Sequence, residues 1–332
     1  MKKIILFSFL LVLGITSLQA EGNIWHVKTG ATGDGSSWKQ ALGDLSEALE
    51  VADYGDQVWV ARGKYTPSDY DRDATFEVMD GVQLYGGFAG HERQLEDRNW
   101  VNNPTVLSGE IGSSSTTDDN SYTILYTRNV SEETRIDGFT ITGGSANGLG
   151  DKGDLQRCGG GWFNDGTGGN SSPVVVNCIF TENFGRDGAA VYNFAKQGIC
   201  QPTIENCQFT NNKADLDGGA MYNDSRRGIC NPIIKDCRVV SNEATYGGGI
   251  LNYTEGGETS PTITGCSFED NIGYVRGGSI YSSENGGKCE PAVATTYFSD
   301  NRATVGKDIY EDKMINRRED GVVASKGKVT KL

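Results

Sequence analysis

Apolar residues in the second half of the chain recur in short alternating runs. In segment 202–209 they stand at Ile204, Cys207 and Phe209, and the last two alternate as they would in a β-strand. A residue type that tolerates left-handed backbone comes directly before the cysteine position in successive segments: Asn177, Asn206, Asp236 and Gly265. The pattern therefore predicts a strand, a bend and a second strand. Helical repeats would show apolar residues with a period of 3.6 residues over about a dozen positions, and none of these segments does.

A repeat of 29 or 30 residues organises these runs. Its clearest marker is a glycine-led segment typified by Gly218-Gly219-Ala220-Met221-Tyr222-Asn223, which predicts a third strand. Six copies begin at Gly159, Gly188, Gly218, Gly247, Gly277 and Gly306. Length varies only between a repeated Asn and the next Gly, as expected of paired strands joined by one tolerant turn. The sequence thus predicts an all-β fold, a single-stranded right-handed parallel β-helix with three short strands per coil.

Stacked coils place equivalent side chains in ladders. We expect an inner aromatic ladder, an amide ladder at a turn and a ladder of buried thiols that fill the core. The members are Phe180, Phe209, Phe268 and Phe298; Asn183, Asn212, Asn242, Asn271 and Asn301; and Cys178, Cys207, Cys237 and Cys266.

The chain divides into four predicted parts. Residues 1–20 have two lysines before an apolar run, the layout of a secretory signal peptide. Residues 21–143 read as an N-terminal cap and irregular coils, in which Asp44 begins a short capping helix. Residues 144–311 hold the regular coils, and residues 312–332 form a polar tail that is flexible or a weak cap.

Composition and net charge exclude some classes of binding partner. The chain has 46 Gly among 332 residues, which demands many turns, and a net charge of −14. Removal of the signal leaves 28 basic and 44 acidic residues, 28 − 44 = −16. This charge argues against nucleic acid and anionic membranes as partners, and the mature chain has no segment with the ~20 apolar residues of a membrane helix. We expect the protein to be secreted, or to lie on the cell surface in association with the outer membrane.

The alternation of Gly218-Gly219-Ala220-Met221 with segments such as Phe209-Thr210-Asn211-Asn212 resembles the GGA(I/L/V) and FxxN repeats of the chlamydial polymorphic outer membrane proteins. The N-terminal coils look like those of secreted β-helix proteins with pectin-lyase-like folds. The resemblance implies a right-handed β-helix in a surface or secreted setting, with adhesion as its usual role. An extracellular glycan or a protein on a host or neighbouring surface is then the expected partner.

The leading functional hypothesis is a non-catalytic adhesive or glycan-binding surface. Its contacts would come from loops on one face that vary in sequence but not in length: 165–172, 194–201, 224–231, 253–260 and 283–290. Four tyrosines beside the double glycines, taken as exposed, suggest a binding stripe, and half-buried ladder packing is the competing interpretation: Tyr192, Tyr222, Tyr281 and Tyr310.

The alternative is a calcium-dependent polysaccharide lyase. Its stacked carboxylates would be Asp187 and Asp217, with Arg226 or Arg227 near the proton to be abstracted. Solvated turn charges are the simpler explanation of these residues, and whether the protein is an enzyme stays open, with binding favoured.

Two further candidates concern ions and thiols. Asp69, Asp71 and Asp73 alternate as in a calcium loop, but Ala74 replaces the turn glycine, so a plain acidic loop is favoured over a calcium site and calcium stays the one candidate cofactor. Cys200 and Cys230 occupy one position in adjacent coils, at a spacing that allows a disulfide in an exported protein.

Overall fold

The computed structural model of the protein describes residues 22–315 and 324–330. Within these ranges the chain winds through about 10 turns of a parallel β-solenoid, the predicted right-handed parallel β-helix. The predicted signal peptide at 1–20 lies outside the described residues, and the domain boundaries stay predictions. None of the helices in the described ranges is long and apolar enough to cross a membrane.

Parallel pairing between successive coils builds four long sheets, numbered here in the order in which a coil visits them. Sheet I contains Ile24–Val27, Gln57–Ala61, Gln83–Phe88, Arg135–Asp137, Val174–Val176, Thr203–Glu205, Ile233–Lys235, Thr262–Thr264 and Ala292–Ala294. Sheet II contains Gly63–Tyr65, Thr105–Ser108, Phe139–Thr142, Ile179–Thr181, Gln208–Thr210, Arg238–Val240, Ser267–Glu269 and Tyr297–Ser299.

The other half of each coil supplies sheets III and IV and a short sheet V. Sheet III contains Ser145–Ala146, Phe184–Asp187, Lys213–Asp217, Glu243–Tyr246, Ile272–Arg276 and Arg302–Val305. Sheet IV contains Phe76–Glu77, Leu125–Arg128, Trp162–Asp165, Val191–Lys196, Met221–Arg226, Ile250–Glu255, Ile280–Asn285, Ile309–Ile315 and Ala324–Thr330, and the last strand is antiparallel to its neighbour. Sheet V contains Asn170–Ser171, Ile199–Cys200 and Ile229–Cys230.

The regular coils therefore have four main strands, and the prediction of three per coil was wrong. The strand that the sequence did not reveal is the one in sheet III, such as Lys213–Asp217. Only its small residue Ala214 is fully buried, and its pairing with the preceding coil is interrupted by a bulge. A short polar strand with one small inward residue lacks the apolar alternation that marks a strand.

The predicted bends and ladders are confirmed. The residue before each ladder cysteine has a positive φ, 55° at Asn177 and 51° at Asn206. Phe180 and Phe209 stack inside the solenoid with ring centroids 5.1 Å apart. The predicted asparagines form a continuous chain of buried side-chain hydrogen bonds with distances of 2.9–3.1 Å from Asn183 to Asn301. These bonds satisfy amides that would otherwise be costly to bury.

The capping helix also forms as predicted. It spans Leu45–Val51, and the Asp44 side chain accepts a hydrogen bond of 2.8 Å from the Ser46 backbone N–H. Ala48 and Leu49 on its inner face are buried in the same core as the first coils. Two 3₁₀ helices, Trp38–Gln40 and Leu95–Asp97, complete the N-terminal part.

Candidate functional site

The outer face of sheet IV carries two rows of side chains, because alternate residues of each strand point away from the core. The first row, which we call the tyrosine row, consists of Phe163, Tyr192, Tyr222, Leu251, Tyr281 and Tyr310. The second row, which we call the acid row, consists of Asp165, Phe194, Asp224, Tyr253, Ser283 and Asp312. The rows run along the solenoid with one side chain of each per coil.

The expectation that the four predicted tyrosines are exposed was wrong. Tyr192 and Tyr222 are fully buried, and Tyr281 and Tyr310 are 7% and 8% exposed. Neighbouring rings cover one another along the row; the rings of Tyr192 and Tyr222, for example, meet edge to face at 5.1 Å. The four tyrosines therefore fit the competing interpretation of ladder packing better. Their row belongs to a second apolar cluster outside the main core.

A segment that does not belong to the repeat covers the first half of this face. We call residues 147–158 the strap. Its Leu155 and Cys158 join the aromatic cluster, and its Gly153 leaves so little space that a Cβ there would lie 2.9 Å from the Phe194 ring. The Thr123 hydroxyl fixes the strap by donating to the Leu155 carbonyl at 2.9 Å.

Charged residues attach the strap to the solenoid. Arg157 Nε lies 2.7 Å from Asp187 Oδ2, and Lys152 Nζ lies 3.0 Å from Asp187 Oδ1 and 2.5 Å from Asp217 Oδ2. Lys152 also stands over the Tyr222 ring, 5.1 Å from its centroid. The predicted stacking of Asp187 and Asp217 is therefore correct, and both carboxylates hold one lysine.

Asp217 at this junction has a strongly shifted pKa. Burial raises its pKa to about 6, although the Lys152 ammonium opposes that rise and the nearby Asp187 adds to it. The side chain of Asp217 is 15% exposed, and it faces the open space beyond the strap.

That space is a groove of about 470 Å³ over the second half of the face. Its lining comes from four successive coils and from the strap: Lys152, Asp217, Tyr222, Arg226, Tyr246, Leu251, Tyr253, Glu255, Arg276, Tyr281, Ser283 and Asp312. Four coils cover three spacings of ~4.8 Å, or about 14 Å along the solenoid. Half-buried Tyr246 and Tyr253 leave apolar ring surface open to the groove.

A triad of tyrosine, aspartate and arginine recurs along the face. The buried Asp224 accepts a 2.5 Å hydrogen bond from the Tyr192 hydroxyl and binds Arg226 at 2.9 Å. Burial raises the pKa of Asp224, and the Arg226 guanidinium only partly offsets this. The same roles recur in two more triads, Tyr126 with Asp165 and Arg128, and Tyr281 with Asp312 and Arg276. These triads were not predicted from the sequence, although Asp224 and Arg226 stand two residues apart in the coil that follows that of Tyr192.

The lyase residues do not assemble as the alternative hypothesis requires. Asp187 is fully buried and occupied by Arg157 and Lys152, so it has no open oxygen for calcium. Arg226 is held by Asp224, and Arg227 lies outside the groove, on a smaller depression shared with Glu255.

The calcium candidates at Asp69, Asp71 and Asp73 do not converge either. Among the described residues, no group of three or more His, Cys, Asp or Glu side chains could hold a metal ion. The Asp71 carboxylate instead accepts from the Asp73 backbone N–H at 3.0 Å, and Asp73 accepts from Gln156 of the strap at 2.8 Å.

The variable segments proposed as binding loops do not project from the solenoid. Each turns tightly and continues the pairing between coils; the N–H of Gln197, for example, donates to the Arg226 carbonyl at 2.9 Å and that of Arg227 to the Glu255 carbonyl at 2.9 Å. A segment whose backbone is bonded on both sides has little freedom to wrap around a partner. The constant length of these segments therefore reflects the pairing between coils, and their role in binding stays a prediction. Tyr253 and Glu255 of segment 253–260 line the groove.

Cys200 and Cys230 are paired in register and buried, and the structure holds both as free thiols instead of the predicted disulfide. In-register residues of parallel strands keep their Cβ atoms about 4.8 Å apart, beyond the ~3.5–4.5 Å that a disulfide needs. The Cys200 sulfur accepts from the Asn164 side chain at 3.0 Å.

No family model matches this chain, and no curated protein matches it. Among solved structures it is similar to a pectin methylesterase from Aspergillus niger, with 15% sequence identity over 85% of this chain and 86% of that one and a TM-score of 0.36. A match at this level says nothing about the site, so the functional argument rests on the residues of the groove.

Proposed function

We propose that this protein is an exported, non-catalytic β-helix that binds a glycan along the groove on the outer face of sheet IV. The observation that carries the proposal is the groove itself, which aromatic and polar side chains from four coils line together. Binding sites for small molecules are concave, with apolar walls and a few polar groups that fix orientation. Pyranose rings, which have an apolar face and a rim of hydroxyls, suit such walls.

Two features favour an extended ligand. The groove is open along its length, and its wall repeats with the spacing of the coils, which is comparable to the length of one sugar unit in a β-linked chain. The apolar surface comes from Leu251 and Tyr253 in one coil and from Tyr281 in the next, so consecutive sugar units would meet similar contacts. The resemblance of the repeats to those of surface-exposed outer membrane proteins agrees with a role outside the cell.

The test is native gel electrophoresis of the mature protein through gels containing a soluble galactomannan, xyloglucan, arabinoxylan or polygalacturonate. We expect at least one polysaccharide to retard the protein, and Tyr253→Ala to abolish the retardation. Tyr297→Ala is the matched control, because Tyr297 is 63% exposed on sheet II, away from the groove. Unretarded migration in all four gels, or equal loss with both variants, would contradict the proposal.

The lyase alternative is tested on the same polysaccharides. A lyase forms unsaturated products that absorb ultraviolet light, and we expect none with or without calcium. Absorbing products that disappear in Asp217→Ala would replace the binding proposal with the catalytic one. Export is tested separately. The N-terminal residue of the protein isolated from outside the cytoplasm should lie near Glu21.

A further inference from the structure

The cations that line the groove are already bound by carboxylates of the same chain. Lys152 is held by Asp217 and Asp187, as described above. Arg226 Nη2 lies 2.9 Å from Asp224 Oδ2. A charge that is satisfied in this way has little attraction left for an anionic ligand.

The third cation, Arg276, is bound in the same manner at the other end of the groove. Its Nη1 lies 2.6 Å from Asp312 Oδ2, which also accepts a 3.4 Å hydrogen bond from the Tyr281 hydroxyl. The guanidinium stands over the Tyr310 ring, 5.4 Å from its centroid. One nitrogen and one face of this guanidinium are therefore engaged within the chain.

The sum of charges around the groove is negative. The lining cations and Arg157, which binds Asp187 from the strap, give four positive charges. Five carboxylates oppose them, those of Asp187, Asp217, Asp224, Glu255 and Asp312, so the local sum is 4 − 5 = −1. A uronate or sulfate group would have to displace one of these carboxylates or lie beside them unpaired, and either costs free energy.

We infer that the groove selects a neutral, hydroxyl-rich glycan chain and excludes uronate-rich and sulfated chains. This inference rests on the proposed function and specifies its ligand class. Sugar hydroxyls donate hydrogen bonds to carboxylates, and the groove offers them the exposed Glu255 and the partly exposed Asp217. The ring surfaces of Tyr253 and Tyr246 supply the apolar contact.

Two exposed cations outside the groove do not change this selection. Lys196 and Arg227 line the smaller depression of about 250 Å³ beside Arg226, where Glu255 faces them. That depression includes neither Tyr253 nor Tyr281 among its lining residues. Binding of an anionic chain there would be insensitive to Tyr253→Ala, which distinguishes the two places.

The test compares the affinity of the protein for galactomannan and for polygalacturonate by the retardation of native gels. We expect binding of galactomannan at least tenfold tighter, and we expect Asp312→Asn to raise the affinity for polygalacturonate about tenfold by releasing Arg276. Glu269→Gln is the matched control, since it changes the net charge equally and releases Arg238, 3.6 Å away on sheet II.

The outcomes separate the two claims. Failure to bind any of the polysaccharides overturns the proposed function. Equal or tighter binding of polygalacturonate that is lost in Tyr253→Ala overturns the selection for neutral chains and leaves glycan binding intact. An equal gain in Glu269→Gln and Asp312→Asn assigns the effect to net charge and also overturns the inference. Thermal unfolding of each variant checks that it folds.

Discussion

The two halves of the outer face of sheet IV carry the same rows of side chains but differ in what covers them. In the first half, the strap packs Leu155 and Cys158 against the aromatic cluster. In the second half, Leu251 and Tyr253, which are equivalent in the repeat to Tyr192 and Phe194, line a groove. The repeat thus supplies an outer apolar surface that is buried where the strap covers it and lines a groove where the strap ends.

The junction between the halves is electrostatic. Lys152 at the end of the covered half reaches Asp217 at the beginning of the groove. Because this lysine and Arg157 both bind the strap to carboxylates of the solenoid, its attachment has a charge dependence that the apolar core does not share. The predictions below test whether the two halves differ in this way.

The largest contrast is expected from truncation of an aromatic residue in each half. Tyr192→Ala should lower the free energy of unfolding by ~5 kcal/mol, since it removes a fully buried ring and leaves Asp224 without its hydroxyl donor. Tyr253→Ala, at a half-buried position in the groove, should cost only ~1 kcal/mol. Denaturant unfolding of both variants measures the difference, and similar losses would show that the strap does not distinguish the halves.

The next contrast concerns the strap's anchor. Asp187→Ala should lower the free energy of unfolding by ~4 kcal/mol, because it leaves Arg157 without its buried counter-charge and Lys152 with Asp217 alone. Glu243→Ala is the matched control; its ion pair with Lys213 is 4.0 Å long and exposed, and its loss should change stability by no more than ~0.5 kcal/mol. A small effect of Asp187→Ala would mean that apolar contacts alone hold the strap.

Sequence and structure agree best where the repeat itself determines the outcome. Asn177 and Asn206 mark the left-handed bends because few other residues accept a positive φ, and Phe209 marks the inner ladder because its position alternates with polar neighbours. The parallel β-helix could therefore be predicted from a single chain.

The groove could not be predicted, for a physical reason. Phe194 and Tyr253 occupy equivalent places in the repeat, so the sequence assigns both the same exposure, but Phe194 is buried under the strap and Tyr253 is half-buried in the groove. What differs is tertiary packing by strap residues such as Gly153 and Lys152, which have no equivalents in the other coils. The carboxylates Asp187 and Asp217 were recognised from their stacking, but their partner Lys152 lies 35 residues before Asp187 and follows no repeat.

A pH dependence follows from Asp217. Its pKa is raised in the fold from 3.8 to about 6, so the native state binds more protons than the unfolded state between about pH 4 and pH 6. This group's stabilising contribution is complete below pH 4 and is lost as the pH rises through 6, by at most ~3 kcal/mol.

Asp217→Asn resembles the protonated carboxyl and should lack this loss. Measured by denaturant unfolding from pH 4 to pH 7, the stability of the wild type should fall relative to that of the variant. Parallel curves would show that the fold does not shift the protonation of Asp217, and a relative gain for the wild type with rising pH would show that the Lys152 ammonium outweighs burial and lowers the pKa of Asp217.

The smallest expected effect is a local opening of the strap, which the thiol of Cys158 reports. Burial raises the pKa of this thiol, so in the closed state it is a poor nucleophile. Lys152→Ala removes a strap anchor without touching the inner core, and it should speed alkylation of Cys158 about tenfold, or ~1.4 kcal/mol of opening free energy. Cys207 in the inner ladder is the internal control, because it becomes reactive only when the coils separate.

Mass spectrometry of peptides after timed alkylation gives both rates from one sample. Equal acceleration at Cys158 and Cys207 would mean that the strap and the coils open as one unit, and the division of the face into a coverable half and a groove would then have no energetic basis.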